Sequence, residues 1–383
     1  MIRHYFKLIW KRKRKNAFLF AELVLVFWVL IAAFSLGIFK FNFYSQPLGF
    51  EWKGVYRIYQ PARLDSLELD RIKRELLSFP EIESVSYSVN VAPYLGNRWG
   101  NGNDLNGMSF NTFYLHADED YGKAWTIPMH SGRFFSKEDL NNRYTPMVVN
   151  KVFVDKYLSD KEVLGYKFQF WLGKETEIVG VMKNFRFQGD FEEESPIAIL
   201  PLNENLVKNC INIKTVPGTG PEIEKKLNDF FNSALKTSDF NIIKVEDQRN
   251  FKNKLTYVPL GIVGFIALFL IINIILGLFG ILRYNVSKRV PEIGLRKALG
   301  ATSSSIRNQF TGEMMVLAFS ACVLALAFAV QVPFLTTLPF GWDVYGWGIG
   351  LSCLIVFTLV YFCSLAPSHE AAGILPARAL HED

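Results

Sequence analysis

The sequence predicts an integral membrane α-helical protein with four transmembrane helices and a large α+β extracytoplasmic domain between helices 1 and 2. Three observations carry that prediction. The apolar runs Phe18–Phe39, Val258–Leu282, Met314–Leu335 and Val344–Leu365 are each about 22–25 residues long, and at ~1.5 Å per helical residue each can cross a hydrocarbon core of ~30 Å. Half of the 383 residues are hydrophobic and mean hydropathy is +0.15, the balance of a chain that mixes spans with a folded domain. Between the first two runs lies a block, 40–257, whose apolar spacing switches between the helical and the strand period.

The chain opens with Ile2, Tyr5, Phe6, Ile9 and Trp10 at helical spacing, and Arg3, Lys7 and Lys11 fall on other faces. This predicts a cytoplasmic amphipathic basic helix over 1–17, lying among lipid headgroups. The first run, 18–39, exceeds a signal-peptide core, and Phe41-Asn42-Phe43-Tyr44 follows it instead of a small-residue cleavage site, so it reads as a retained anchor. Orientation follows from charge. Arg3, Lys7, Lys11, Arg12, Lys13, Arg14 and Lys15 precede the first span, and Arg283, Lys288, Arg289, Arg296, Lys297 and Arg307 lie in the loop 283–313. The connection Thr336–Asp343 has no basic residue. Positive-inside bias puts both termini, this loop and the tail 366–383 in the cytoplasm and 40–257 outside, a multi-pass topology in a cell membrane. The net charge of +6 then reports topology and does not point to nucleic acid.

Within 40–257, Val55–Tyr59 reads as a strand and Leu67–Ser78 as a helix capped by Asp65 or Ser66, with Leu69, Ile72, Leu76 and Leu77 apolar. Pro80 ends that helix, and Val85, Tyr87 and Val89 alternate as a strand. The pattern returns as strand Cys210–Val216, a helix from Pro221 to Ala234 and strand Phe240–Val245. Two such units suggest a split α/β domain at about 40–90 and 206–250, with a subdomain at about 91–205 inserted. One continuous α+β domain is the other reading. The insert begins with a Gly/Asn-rich stretch, Gly96–Asn103, read as a surface loop. It continues with a helix near Asn150–Tyr157, a hairpin (Lys167–Trp171, Glu177–Met182) and strand Ile197–Leu200. Cys210 is the one cysteine in the block, so an intrachain disulfide there is excluded.

Several chemistries find no residues to run them. No P-loop, no zinc-ligand spacing and no serine nucleophile elbow occurs, so the chain is expected to be a non-catalytic subunit with no metal or cofactor of its own. Polar groups within the spans are few. Glu22 and Glu313, near the cytoplasmic face, are expected to pair with Lys15, Arg283 or Arg307 or to stay protonated, and Asn273 to bond a neighbouring helix. Gly277, Gly280 and the Gly346/Gly348/Gly350 series allow close helix approach. The third span, 314–335, and the fourth, 344–365, carry no chain of midplane charges such as an ion-driven transporter uses.

The loop 283–313 holds the most informative segment, Glu292-Ile293-Gly294-Leu295-Arg296-Lys297-Ala298-Leu299-Gly300-Ala301. Pro291 at a first helical position, a Glu292–Arg296 pair and Gly300 after Leu299 describe a short capped helix. Thr302 or Ser303 would cap the next one. Leu295 and Leu299 could anchor in a groove of a cytosolic protein, with Arg296 and Lys297 as charged contacts, or the helix could rest on headgroups.

This segment resembles the cytoplasmic motif of the FtsX-like and MacB-like permease subunits of ABC transporters. Gly132-Arg133-Phe134-Phe135-Ser136, Glu177–Phe185 and Leu375-Pro376-Ala377-Arg378-Ala379-Leu380 also match that family, as does the order of one span, a large outer domain and three spans. The resemblance implies a permease paired with a second copy or a paralogue, and bound through Glu292, Ile293, Gly294, Leu295, Arg296, Lys297, Leu299 and Gly300 to a cytoplasmic ABC ATPase. That ATPase, holding ATP and Mg, would be a separate polypeptide, because no ATPase domain is fused here. A periplasmic adaptor or outer-membrane partner also belongs to the family's range. The implied activity is export by mechanotransmission. The alternatives are an ATP-gated regulator of an extracytoplasmic hydrolase or sensor, and an anchored ligand receptor without an ATPase.

Overall fold

The computed structural model describes residues 13–59, 64–89, 93–94, 100–105, 108–159, 162–170, 174–183, 185–202, 209–235, 239–335 and 341–373. The predicted N-terminal amphipathic helix therefore lies outside the described residues up to 12, and so does the Leu375–Leu380 match. The chain divides into a helical unit, Met1–Asn42 with Tyr257–Asp383, and a sheet domain, Phe43–Thr256.

Helix α1 runs Lys13–Tyr44. In the sheet domain β1 (Val55–Tyr59) is followed by α2 (Ser66–Leu77) and β2 (Ile82–Ser88). Helix α2 starts where the sequence indicates, because Asp65 and Glu68 form a reciprocal capping box. Then come β3 (Gly100–Leu105), β4 (Met108–Ala117), the single turn α3 (Tyr121–Ala124), β5 (Met129–Gly132) and β6 (Thr145–Asn150). Helix α4 (Lys151–Tyr157), capped by the Asn150 side chain, leads to β7 (Lys167–Phe170), β8 (Lys174–Met182) and β9 (Ile197–Pro201). The domain closes with β10 (Cys210–Thr215), α5 (Glu222–Leu235) and β11 (Asn241–Lys244).

All eleven strands join one sheet, with β11-β1-β10-β2 at one end and β4-β9-β6-β8-β5 at the other. At the first end each strand is antiparallel to its neighbours, and α2 and α5 bury Leu69, Ile72, Leu76, Leu227 and Phe231 against Ile58, Val85, Ile211 and Ile213. Two βαβ units from opposite ends of the domain's sequence thus interleave. At the other end β4 and β9, and β6 and β8, run parallel. One expectation fails: Gly100–Asn103 belongs to β3, paired with β4 from Gly100↔Phe113 onward, and not to a loop. A ladder needs only backbone groups, so the partner strand overrides the weak strand propensity of Gly and Asn.

The two ends meet at a narrow seam. β2 and β4 share one register pair, Ser88↔Ala117, supported by Val89 N–H donating to His116 O (3.0 Å) and Asp118 N–H donating to Tyr87 O (2.9 Å). Lys73 of α2 stitches across it to Asp118 (2.9 Å) and Asp120 (2.8 Å). Burial lifts the Asp118 carboxyl to about 6 even with Lys73 beside it. Its folded value lies above the unfolded value of about 3.9, so its contribution to stability is fully present below about pH 4 and is lost as pH rises through about 6. Asp118→Asn is expected to flatten the domain's stability profile across that window. Unfolding midpoints of the two proteins at pH 4 and 7 test this, and parallel profiles would refute it.

In the helical unit, α6 (Val245–Ser287) precedes a short helix α7 (Val290–Ala298), then α8 (Ser303–Ala329), α9 (Val332–Leu335) and α10 (Trp342–Gly373). Among the described residues four helical segments, counting α1 and taking α8 with α9, are long and apolar enough to cross a membrane. The expected third span, Met314–Leu335, falls within the apolar segment Ser303–Leu335, which is helical apart from a turn at 330–331. Helix α8 stops at Ala329, and α9 restarts with Pro333 in its first turn, where the missing N–H is harmless. The core joins Leu19, Leu23, Phe27 and Leu30 to Ile274, Leu278, Ala318, Ala321, Val356 and Val360. Of the glycines singled out, Gly348 makes a close approach: a Cβ there would fall 2.1 Å from Ser35 Oγ. Gly280, Gly346 and Gly350 face open space.

Candidate functional site

Helix α7 is built by local rules. Pro291 sits in its first turn, Glu292 lies near the positive end of the helix dipole, and Arg296 and Lys297 lie in the last turn. It ends in a Schellman motif: Gly300 N–H donates to Lys297 O and Ala301 N–H to Arg296 O, both at 3.0 Å, with Gly300 at φ +96°. The Thr302 side chain then accepts from Ser305 N–H (3.2 Å) and starts α8.

The two faces of α7 differ. Ile293 and Gly294 are buried, and Ile293 packs with Val286, Ile306, Phe310 and Ala371. On the other side Leu295 is 54% exposed and Leu299 80% exposed. Charged groups fix the inner face. Arg289, in the turn before α7, forms a bidentate pair with Glu313 of α8 (2.9 and 3.0 Å), and both side chains are only 6% exposed. Gln309 Nε2 donates to Glu313 Oε1 (3.2 Å), and Gln309 Oε1 accepts from Arg296 (2.7 Å). Arg296 also meets Glu292 at 2.6 Å. The result is a continuous chain, Glu292–Arg296–Gln309–Glu313–Arg289, along the α7–α8 junction. Lys297 Nζ and Ser303 Oγ both donate to Ala372 O near the end of α10, the latter at 3.0 Å.

This corrects the expected partners of the intramembrane carboxylates. Glu313 takes Arg289, not Lys15, Arg283 or Arg307, because Arg289 is held in the turn that joins α6 to α7 and from there reaches Glu313, about three turns into α8. Arg283 faces Glu370 at 3.9 Å. Glu22 Oε2 has no hydrogen-bond partner among the described residues and lies beside Gly277. Asn273 donates to Phe269 O of its own helix (2.8 Å), the standard i−4 outlet for a polar side chain in a span, and not to a neighbour. Sequence reasoning counted Arg289 as a topology charge and passed over Gln309. The i,i+4 spacing of Gln309 and Glu313 was the available signal.

The chain thus combines a short amphiphilic helix, closed by a glycine cap, with long apolar helices of membrane-spanning composition, and comparison with known proteins specifies its class. The model of the MacB-like periplasmic core domain matches residues 23–229, more than half of the chain, and that of the FtsX-like permease C-terminal region matches 264–376. The chain belongs to this family of MacB-like and FtsX-like ABC transporter permeases. The macrolide export ATP-binding/permease protein MacB of Neisseria meningitidis serogroup A is 23% identical over 282 residues, 69% of this chain and 42% of that protein. The uncharacterized ABC transporter permease YvrN of Bacillus subtilis is 23% identical over 303 residues, 72% of this chain and 71% of that one. Among solved structures, the periplasmic region of MacB from Actinobacillus actinomycetemcomitans is similar over 55% of this chain and 97% of that structure, at a TM-score of 0.40 and 14% identity. The chain thus spans less than half the length of the Neisseria MacB that it matches.

Proposed function

We propose that this chain is the permease subunit of an ABC exporter and that α7 receives the stroke of a separate cytoplasmic ATPase. In this reading both termini are cytoplasmic, the sheet domain is extracytoplasmic, and a second permease copy or a paralogue completes the assembly. ATP and Mg are held by the ATPase. The observation that carries the reading is the asymmetry of α7: one face is packed through Ile293 and its start is fastened to α8 by the buried Arg289–Glu313 pair, while Leu295 and Leu299 stand exposed on the other face. A coupling element needs both properties. It must present apolar anchors to a partner and must not yield when pushed. ATP-bound and ATP-free forms of the partner would then bias the permease only to the extent that they grip α7 differently. Export by mechanotransmission follows, with the sheet domain as the moving output.

Leu295→Asp removes an anchor and Arg296→Glu reverses a contact charge. Each is expected to lower ATPase stimulation or association at least ~10-fold, the effect of losing about 1.4 kcal/mol, with membrane insertion unchanged. Crosslinking from position 295 or 299 in whole membranes should capture a nucleotide hydrolase. Full ATPase stimulation in both variants would refute the assignment.

A further inference from the structure

The sheet domain is linked to the rest of the chain at two points, just before Phe43 and just after Thr256. One buried arginine holds the first, and the loop that it organises holds the second. Arg186, 2% exposed, sits between β8 and β9 at the far end of the sheet, well away in sequence from either crossing. Its guanidinium Nη1 donates to Phe43 O (2.8 Å) and Gln46 O (3.1 Å), where the chain leaves α1. Its Nη2 donates to Asp190 O (2.7 Å) and Glu192 O (3.0 Å), which folds the 186–192 loop around it. Its own N–H donates to Leu48 O (2.9 Å), and Tyr44 stacks on Phe191 at 5.4 Å.

The same loop holds the other crossing. Asp190, 3% exposed, accepts from the Asn253 side chain and pairs with Arg249 at 2.8 Å, both in the first turns of α6. Lys252 pairs with Glu192 at 3.3 Å. Arg249 also lies over the Trp52 ring at 4.3 Å, in the segment that leads from the first crossing to β1.

Chain order alone would route both crossings into the four-strand end of the sheet, since α1 leads to β1 and β11 leads to α6. The bonding adds a second route, into a loop carried by β8 and β9, beside the buried Arg57–Gln248 bond (3.0 Å) that ties the start of α6 to β1. We propose that Arg186 is a positioning residue of the transport cycle. With Asp190 it locks the end of α1 and the start of α6 to the 186–192 loop, so that movement of either helix drives the β9-β6-β8-β5 end of the sheet, while the four-strand end is tied to α6 separately through Arg57 and Gln248. A planar guanidinium is needed because the carbonyls lie in two directions, a geometry that an ammonium group does not match.

The inference rests on the coupling reading above, and the experiment separates the two. The full chain is reconstituted in nanodiscs with the ATPase that co-purifies with it, and amide exchange is followed with and without Mg and a non-hydrolysable ATP analogue. In the wild type, nucleotide should change exchange at 43–48, at 245–256 and in β6, β8 and β9. Arg186→Gln should keep ATP turnover and the response at 43–48 and 245–256, and lose the response in β6, β8 and β9. Arg186→Lys should not rescue it. Asp190→Asn, which leaves the Arg186 carbonyl contacts in place, should cut that response by at least about two-fold and so guards against a folding defect in the first variant. A full nucleotide response in β6, β8 and β9 of Arg186→Gln overturns this proposal alone. No response anywhere in the wild type overturns the coupling reading and this proposal with it.

Discussion

Gly180→Ala is expected to destabilise the sheet domain by about 2–4 kcal/mol, through a backbone collision and not through lost packing. A Cβ on Gly180 would fall 2.1 Å from Arg133 O and 2.6 Å from the Met129 methyl. Its register partner is Gly132 of β5, at φ +67°, where a Cβ would fall 2.4 Å from Val179 O and 2.9 Å from Gly180 Cα. Neither strand can withdraw easily. Arg133 N–H donates to Val179 O (3.2 Å), and the Arg133 guanidinium grips Asp139 at 2.6 and 2.7 Å. Asp139 also accepts from Ser136 N–H at 2.8 Å, and Arg133 together with these Ser136 bonds holds its carboxyl far below the usual range. Gly218→Ala is the control: its φ of +89° carries strain, but nothing lies within 4 Å of the added carbon, so it should cost only about 1 kcal/mol. Denaturant midpoints of the two variants decide the matter. Equal losses would mean that the β5–β8 contact is looser than described.

That glycine pair shows where sequence reading stops. Gly132-Arg133-Phe134-Phe135-Ser136 and the strand around Gly180 were both visible as motifs, and both resembled the family. Nothing in either says that one glycine must face the other, because strand register is set by hydrogen bonding between segments far apart in the chain. Helices α2 and α5 were legible for the opposite reason. Their apolar faces and caps, Asp65 with Glu68 for the first and Pro221 before the second, are written within a few residues. The apolar helices were legible from length and composition alone. Strand β3 was not, since Gly and Asn carry no strand signal and its partner decides its state. At α7 the local devices were all readable, namely Pro291, the Glu292–Arg296 pair and Gly300. The Arg289–Glu313 pair was not, since it joins separate helices. Arg186 was hidden more completely, because its partners are backbone carbonyls and leave no trace in residue type.

The Arg289–Glu313 pair yields the other large effect. Glu313→Ala would leave a guanidinium almost wholly enclosed, over the Phe310 ring and without its carboxylate. Breaking one partner of a buried pair costs about 3–5 kcal/mol, most of it the uncompensated charge. The helical unit should therefore unfold at a markedly lower temperature in detergent. Arg289→Met combined with Glu313→Leu removes both charges, and such apolar replacements are often neutral or stabilising by about 1–4 kcal/mol, so this double variant should recover most of the lost stability. It should not recover coupling. Without Glu313 the Gln309 amide loses an acceptor, and the chain from Arg296 to Arg289 is cut in the middle. The buried Ile293 contacts and the Arg296–Gln309 and Lys297–Ala372 bonds would remain, but Gln309 would no longer be held by Glu313 and would grip Arg296 less rigidly. The double variant is thus expected to fold, insert and bind the ATPase while its stimulation of ATP turnover falls. Wild-type stimulation would mean that Ile293 packing and the Arg296–Gln309 and Lys297–Ala372 bonds suffice to hold α7 and that the ion pair serves only stability. A Glu313→Ala protein as stable as the wild type would mean that water reaches Arg289.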